Sequence, residues 1–253
     1  MLAEALVWLF TPAAPGARRL GHLAESIAIR ARHRRCRAAW APHLEASRKA
    51  LLTSALATPS RRTALLLGTG HLLDVPLREL APLFDSVLLV DVVHPWSSRL
   101  YSRRHDNVRL IECDVTGCLA EMPAAPVVPA LFLDRADIDW VASINLLSQL
   151  GNLAERWLRK HRPDLGEAAT ARYREAIMVN HLAWLSRFRA RTCLLTDLEQ
   201  IRLDGDGAII ETIDYQPLLT NWRIVSAWRW DIAPPGELGG GETAWHRVAA
   251  LTQ

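Results

Sequence analysis

Short apolar runs alternate along this chain with longer stretches of helical period. Ala64–Leu67, Val87–Val90, Trp140–Ile144 and Thr192–Thr196 are each too short for a helix and end at turn-forming or acidic residues. Val108–Cys113 is a more mixed run of similar length. A brief, almost unbroken apolar run is what a strand buried on both faces requires, so these five predict a parallel sheet covered on both sides. Helical spacing fills the intervals. Leu20, Leu23, Ala24, Ile27 and Ala31 recur at i, i+3, i+4 and predict a helix over about 20–40, with Pro42 ending or restarting it. Leu44, Leu51, Leu52 and Leu56 continue as a second helix to about Ala57. Tyr173, Ile177, Trp184, Leu185 and Phe188 form the apolar stripe of a long helix over about 166–189, with His181 beside it.

The C-terminal pattern changes period. Two Asp-Gly steps over 204–207 are a hairpin signal joining 200–203 to 208–215, a two-stranded flap. Trp228, Trp230 and Ile232 alternate as a strand would, and 246–251 is expected to return as the final edge strand. The expected fold class is α/β: a doubly wound, mostly parallel seven-stranded sheet with a C-terminal antiparallel strand pair and an N-terminal helical extension. The expected division is a helical extension over 1–62 and a Rossmann-like domain over 63–253.

Composition narrows the function less than it narrows the class. The formal net charge of +3 makes the whole chain no strong polyanion binder, yet eleven basic and only three acidic residues precede Thr63. Arg30, Arg32, Arg34, Arg35 and Arg37 crowd one helical stretch, which offers either a surface for phosphate or nucleic acid or a solvated face paired with acids elsewhere. Four cysteines, Cys36, Cys113, Cys118 and Cys193, form no Cys-x-x-Cys pair, as expected of free thiols in a reducing, cytoplasmic setting. No apolar run reaches the length of a membrane span. Met1–Phe10 is apolar but carries Glu4 and no basic flank, so it reads as a short amphipathic segment and not as a signal peptide. His33, Cys36 and His43 are too loosely spaced for a closed zinc set, and no metal is expected.

The candidate chemistry starts at 64–77, ALLLGTGHLLDVPL. Strand, glycine turn and a new helical start, with Asp74 as its cap and Pro76 in its first turn, make the phosphate- or nucleotide-side turn of a doubly wound sheet. Gly68 and Gly70 let a ligand approach the main chain, and Thr69 and His71 lie in the same turn. Asp91 follows the second strand at the spacing of a ribose-binding acid, with Val92 next to it. Asp114 closes the third strand as a candidate acceptor for an adenine amino group, with Val115 to pack on the ring. Asn145 follows the fourth strand, and Ser143, Ser148 and Gln149 cluster near it where a substrate would meet the cofactor.

The order LLLGTG, LLVDVV, NVRLIECDV, DWVASINLL resembles the class I S-adenosylmethionine-dependent methyltransferases, over roughly 63–197. That resemblance implies S-adenosyl-L-methionine as cofactor, with Gly68 and Gly70 carrying its methionine part, Asp91 its ribose and Asp114 its adenine. The chain departs from the family pattern twice: Leu66 stands where an acidic residue is usual, and Leu72 stands in place of a third glycine. No catalytic residue is implied, because methyl transfer demands mainly positioning. His71, His94, Asn145 and Gln149 are the polar groups expected nearest the methyl, and Trp222, Trp228, Trp230 and Trp245 are candidates to line a cavity for an aromatic or apolar molecule. A small-molecule acceptor is expected before a nucleic acid, since no Asn/Asp-Pro-Pro-aromatic tetrad follows the fourth strand. Two other readings stand: a methyltransferase-like binding protein that uses its arginine helix, and an NAD(P)-dependent short-chain-type oxidoreductase. The second lacks its Tyr-x-x-x-Lys pair, for Tyr173 is followed by Ile177. The sequence says nothing of oligomeric state.

Overall fold

A computed structural model describes residues 11–120, 122 and 124–253; the apolar Met1–Phe10 segment lies outside the described residues. In chain order the elements are α1 (Ala17–Leu20), α2 (His22–Arg35), α3 (Arg37–Leu56), β1 (Thr63–Leu67), α4 (Leu77–Leu80), β2 (Ser86–Asp91), α5 (Trp96–Ser102), β3 (Val108–Glu112) and β4 (Ile138–Ile144). They continue as α6 (Asn152–His161), α7 (Gly166–Leu185), β5 (Arg191–Leu203), β6 (Ile209–Asp214), β7 (Arg223–Ala233) and β8 (Thr243–Thr252).

Among the described residues these strands form one eight-stranded sheet of order β3-β2-β1-β4-β5-β8-β7, with β6 paired to β5 off this path. β1 to β5 are parallel, and β8, β7 and β6 join antiparallel. The expected doubly wound sheet with an antiparallel close is the fold, with one strand more than expected. The apolar runs have a direct cause. Leu65 and Leu67 of β1, with Leu88 and Val90 of β2, pack under α6 and α7. Ala64 and Leu66, with Val87 and Leu89, pack the opposite face under α3 and α4. Alternate residues serve opposite cores, so neither phase can be polar.

Several boundaries differ from expectation, each for a local reason. The N-terminal helix breaks at Cys36 (φ −95°, ψ 16°), while Pro42 sits inside α3 without ending it. Of the expected stripe of α2 only Leu23 is buried within the helix; Ala24 is exposed. Asp74 makes no side-chain cap, and α4 starts after Pro76 as a four-residue turn. α7 ends at Leu185, before Phe188. The flap is not a separate hairpin: β5 runs on to Leu203 and pairs there with both β6 and β8. β8 is interior, and β7 is the edge strand. A third cluster, Cys36, Trp40, Leu44, Trp230 and Val248, pins α3 to this antiparallel end. Among the described residues no helix is long and apolar enough to cross a membrane.

The reversal of strand order between β1 and β4 opens a crevice at the carboxyl ends of the strands, and the site lies there. Leu66 is fully buried; Leu66→Ala is expected to cost about 2–5 kcal/mol in urea unfolding, with an unchanged m-value.

Candidate functional site

β1 delivers the chain to a turn that only glycine can make. Gly68 has φ +79°, and a Cβ there would lie 2.7 Å from the Ile144 carbonyl oxygen. Two residues on, the Gly70 N–H donates to Asp91 Oδ2 at 2.7 Å, and the Val93 N–H donates to Oδ1 at 3.2 Å. One carboxylate thus ties the glycine turn to the end of β2. A buried network braces the turn from behind: Thr69 Oγ1 lies 3.0 Å from His94 Nε2, His94 Nδ1 lies 2.9 Å from Glu112, and Arg99 donates to Glu112 at 2.6 Å. The Ser98 hydroxyl donates to the Gly70 carbonyl at 2.7 Å. Leu72, where a third glycine was missing from the sequence, keeps the left-handed backbone, with φ +57°.

These groups face a cavity of about 520 Å³. Gly68, Thr69, Gly70, His71, Asp91, Val92, Asp114, Val115 and Asn145 all line it, so the nine residues singled out in the sequence converge. Leu72 does not line it. Asp114 turns its carboxylate into its own loop, accepting from the Thr116 N–H and hydroxyl at Oδ1 (2.8 and 2.6 Å) and from the Leu119 N–H at Oδ2 (2.9 Å). Asn145 also has a left-handed backbone, φ +47°, and donates through Nδ2 to Asp74 Oδ2 at 2.6 Å. Burial pushes the Asp74 carboxyl up, and the bond from Asn145 only partly offsets it.

Five sequence candidates, Ser143, His94, Trp222, Trp228 and Trp245, fall elsewhere. Ser143 bonds His181 at 2.9 Å inside the core, and His94 belongs to the bracing network. Trp222 packs in the core under α7, and Trp245 lies under the Arg229 guanidinium, 4.6 Å from its ring centre. Of the four candidate tryptophans only Trp230 lines the cavity.

The roof was hidden in the sequence. α2 lies over the cavity with His22, Glu25, Ser26, Ile29 and Arg32, one helical face. Polar residues facing a cavity carry the same signature as polar residues facing solvent, so an apolar stripe is the wrong signal for such a helix. His71 fastens the roof, its Nε2 lying 2.7 Å from the Ser26 carbonyl and 3.1 Å from its hydroxyl. Burial lowers the pKa of His71 and of His22. Arg35 forks onto Glu237 at 2.9 and 2.6 Å, with Arg32 at 3.4 Å, and the Arg35 bond holds the Glu237 carboxyl down. Two of the five arginines, Arg32 and Arg35, are therefore paired with an acid of the β7–β8 loop. His33, Cys36 and His43 do not converge: Cys36 is buried, and His43 Nδ1 accepts from Trp228 Nε1–H at 3.1 Å.

The end of the cavity over β4, β5 and β8 was also missed. Asp197 accepts from the Ser148 hydroxyl (2.6 Å) and Gln200 Nε2 (2.8 Å) at Oδ2, and its Oδ1 lies 3.1 Å from His246 Nδ1. Burial alone would raise this carboxyl, but the bonds from His246, Ser148 and Gln200 outweigh it and leave it below the usual range. His43 stacks on Trp230 with ring centres 4.0 Å apart, and burial lowers its pKa to about 3. The residues signalled their place only through pairing of β5 with β8, which no local pattern discloses.

No family model matches the sequence, and a search of curated proteins finds no significant match. Among solved structures the chain is similar to the N-methyltransferase NodS from Bradyrhizobium japonicum, at 12% identity over 83% of this chain and 97% of that one, TM-score 0.39. It is similar to the 1,6-didemethyltoxoflavin N1-methyltransferase of Burkholderia thailandensis, at 15% identity over 81% and 80%, TM-score 0.38. It is also similar to the YcgJ protein of Bacillus subtilis, at 9% identity over 82% and 96%, TM-score 0.43. Strand order and cavity, not these distant likenesses, carry the functional reading.

Two expectations follow. At Leu72, Gly is expected to be more stable than Ala by about 1 kcal/mol, because only glycine escapes the left-handed penalty; equal stabilities in paired denaturation curves would contradict the strain. Burial also holds the His181 pKa at about 3, against an ordinary 6.5. The unfolded chain binds a proton there between those pH values and the folded chain does not, so this group costs stability as pH falls through that window. Asp74, raised by burial, works in the opposite sense. Comparing Tm across pH 7 to 4 in wild type and His181→Gln isolates the first effect: the variant is expected to lose less stability on acidification.

Proposed function

We propose that this chain is an S-adenosylmethionine-dependent methyltransferase acting on a small molecule. The observation that supports this reading is the convergence of the glycine turn, Asp91 and the Asp114 loop on one roofed cavity at the switch point of the sheet. Its volume, about 520 Å³, suits a nucleoside-sized ligand with room beside it.

The residues fit the cofactor. Each Asp91 oxygen accepts one backbone N–H and keeps a lone pair, so the carboxylate can take both ribose hydroxyls while still holding the turn. A Cβ at Gly68 or Gly70 would press on backbone or on Asp91, so bare main chain faces the ligand there. Val115 and the Asp114 loop offer a wall for adenine. Leu66 is buried in the core beneath α3, and the polar groups at the methionine side are Asn145 and the buried Asp74. The cofactor, when bound, supplies an electrophilic methyl group. The chain's own task is to hold an acceptor in line with it, and α2 excludes water above the reacting atoms. On this reading α2 of the N-terminal extension acts as the roof of the domain over 63–253.

Two observations favour a small acceptor. The roof covers part of the cavity over the carboxyl ends of the strands, and Arg32 and Arg35 are engaged by Glu237 instead of facing outward unpaired. The oxidoreductase reading finds no support, since the Tyr173 hydroxyl donates to the Ala124 carbonyl and does not line the cavity.

Calorimetric titration with S-adenosylhomocysteine is expected to show saturable, micromolar binding. Asp91→Ala is expected to weaken it about ten- to a hundredfold, the loss of charge-assisted hydrogen bonds. Binding of NADPH but not of S-adenosylhomocysteine would overturn the assignment; binding of neither would favour a degenerate relative kept for its surface.

A further inference from the structure

We infer that His246 is the general base of the reaction, oriented by Asp197, and that the acceptor is a hydroxyl on a flat, uncharged ring, a phenol in the simplest case. The inference rests on the methyltransferase reading and deepens it.

Proton bookkeeping at the β5–β8 end of the cavity singles out one nitrogen. The Asp197 carboxylate is 5% exposed and held in its charged form, so it can only accept. Its Oδ1 therefore requires the proton of the contacting imidazole to sit on His246 Nδ1, 3.1 Å away. That leaves the lone pair of the neutral ring on Nε2, which makes no hydrogen bond to the described residues. His43, the other imidazole lining this end, is fixed in the reverse sense. Its Nδ1 accepts the Trp228 indole N–H and its Nε2 lies 3.4 Å from Asn145 Nδ2, so both of its ring nitrogens are already engaged. Of the two imidazoles only that of His246 keeps a nitrogen free for an acceptor.

Trp230 stands between them. Its ring stacks on His43 at an interplanar angle of 9° and meets His246 edge-on at 5.7 Å. Its buried indole N–H has no acceptor among the described residues. An aromatic wall, one unpartnered indole N–H and one bare nitrogen suit a flat molecule bearing an oxygen. The titratable groups facing His246 are the charged Asp197 from β5 and the neutral His43 from α3; Ser148 and Gln200 complete the Asp197 shell. No lysine or arginine lies among these contacts, and the two arginines that line the cavity, Arg32 and Arg156, are ion-paired with Glu237 and Glu25, so an uncharged ring fits this end best.

In the step itself the acceptor O–H bond breaks, the proton bonds to His246 Nε2, and the electron pair stays on oxygen. That pair forms the new bond to the methyl carbon as the carbon–sulfur bond breaks, its pair leaving with sulfur as a neutral thioether. The imidazolium is stabilised by the Asp197 carboxylate until its proton passes to solvent. Asp197 is a positioning residue, and His246 is the group that touches the acceptor.

The test uses the full chain with S-adenosylhomocysteine bound and 4-nitrophenol as probe, whose neutral and ionised forms absorb separately. At a pH below the probe's own pKa, wild type is expected to bind it with about tenfold more of it ionised than His246→Gln, the equivalent of one pK unit. Asp197→Asn is expected to lose most of that ionisation, because an amide also tolerates the other tautomer; a purely structural pair would leave the probe's spectrum unmoved. Nitrogen NMR of labelled histidine, assigned by subtracting the His246→Gln spectrum, is expected to show Nδ1–H with a bare Nε2 for His246. Retained S-adenosylhomocysteine binding by both variants shows that they fold. Equal ionisation in His246→Gln, an Nε2–H tautomer in wild type, or failure of the phenol to bind while S-adenosylhomocysteine does would each overturn the inference. Failure of S-adenosylhomocysteine to bind wild type strikes the underlying assignment instead.

Discussion

The bond from the Gly70 N–H to the Asp91 carboxylate, 2.7 Å long, joins the two elements on which the site depends. It fixes the turn after β1 against the end of β2 at the place where strand order reverses, so the main chain of one strand and the acid of the next face the same hollow. Residues at the carboxyl ends of neighbouring parallel strands are brought close by the sheet, but their side chains converge only if the turns between them are held. Here the holding is done from three sides. Asp91 ties the turn at the front, Thr69, His94, Glu112 and Arg99 brace it from behind, and the Ser98 hydroxyl donates to the Gly70 carbonyl. The left-handed backbone at Leu72 persists because this frame over-determines it.

Over that frame lies a roof built by the chain's own N-terminal helices. α3 is anchored by apolar contacts, with Leu51 and Ala55 in the sheet core and Trp40 and Leu44 against Trp230. α2 has one buried apolar residue and is held instead by polar ties, His71 to Ser26 and Arg35 to Glu237. A helix fastened by a few hydrogen bonds opens at lower cost than one fastened by a core. The half-buried histidines His22 and His71, whose pKa values burial lowers, lie on the inner side of α2.

Much of this was legible in the sequence where one residue's environment is set by its neighbours in the chain. The runs 64–67, 87–90 and 192–196 declared strands buried on both faces because both phases are apolar, and the spacing from Gly70 to Asp91 carried the ligand side of the sheet. All nine residues chosen on that basis line one cavity. What escaped was set by distant partners. The face of α2 over the cavity is polar, so it read as a solvent face. Asp74 looked like a helix cap and instead meets Asn145, 71 residues away. His246 lay in a segment read as an edge strand, and its meeting with Asp197 depends on β8 inserting between β5 and β7. Leu72 showed the reverse lesson: a missing glycine suggested a reshaped turn, yet the backbone kept the glycine conformation.

The central claim is spatial: one adenosine-sized ligand lies between the Asp91–Gly70 bond and the polar face of α2. A crystal structure grown with S-adenosylhomocysteine tests it most directly. The account requires the ribose hydroxyls on Asp91, the adenine beside Val115, and the sulfur directed towards Asn145, with His22 and Ser26 above. Density for the ligand anywhere else on the molecule, or a ligand in this cavity that leaves Asp91 untouched, would contradict it.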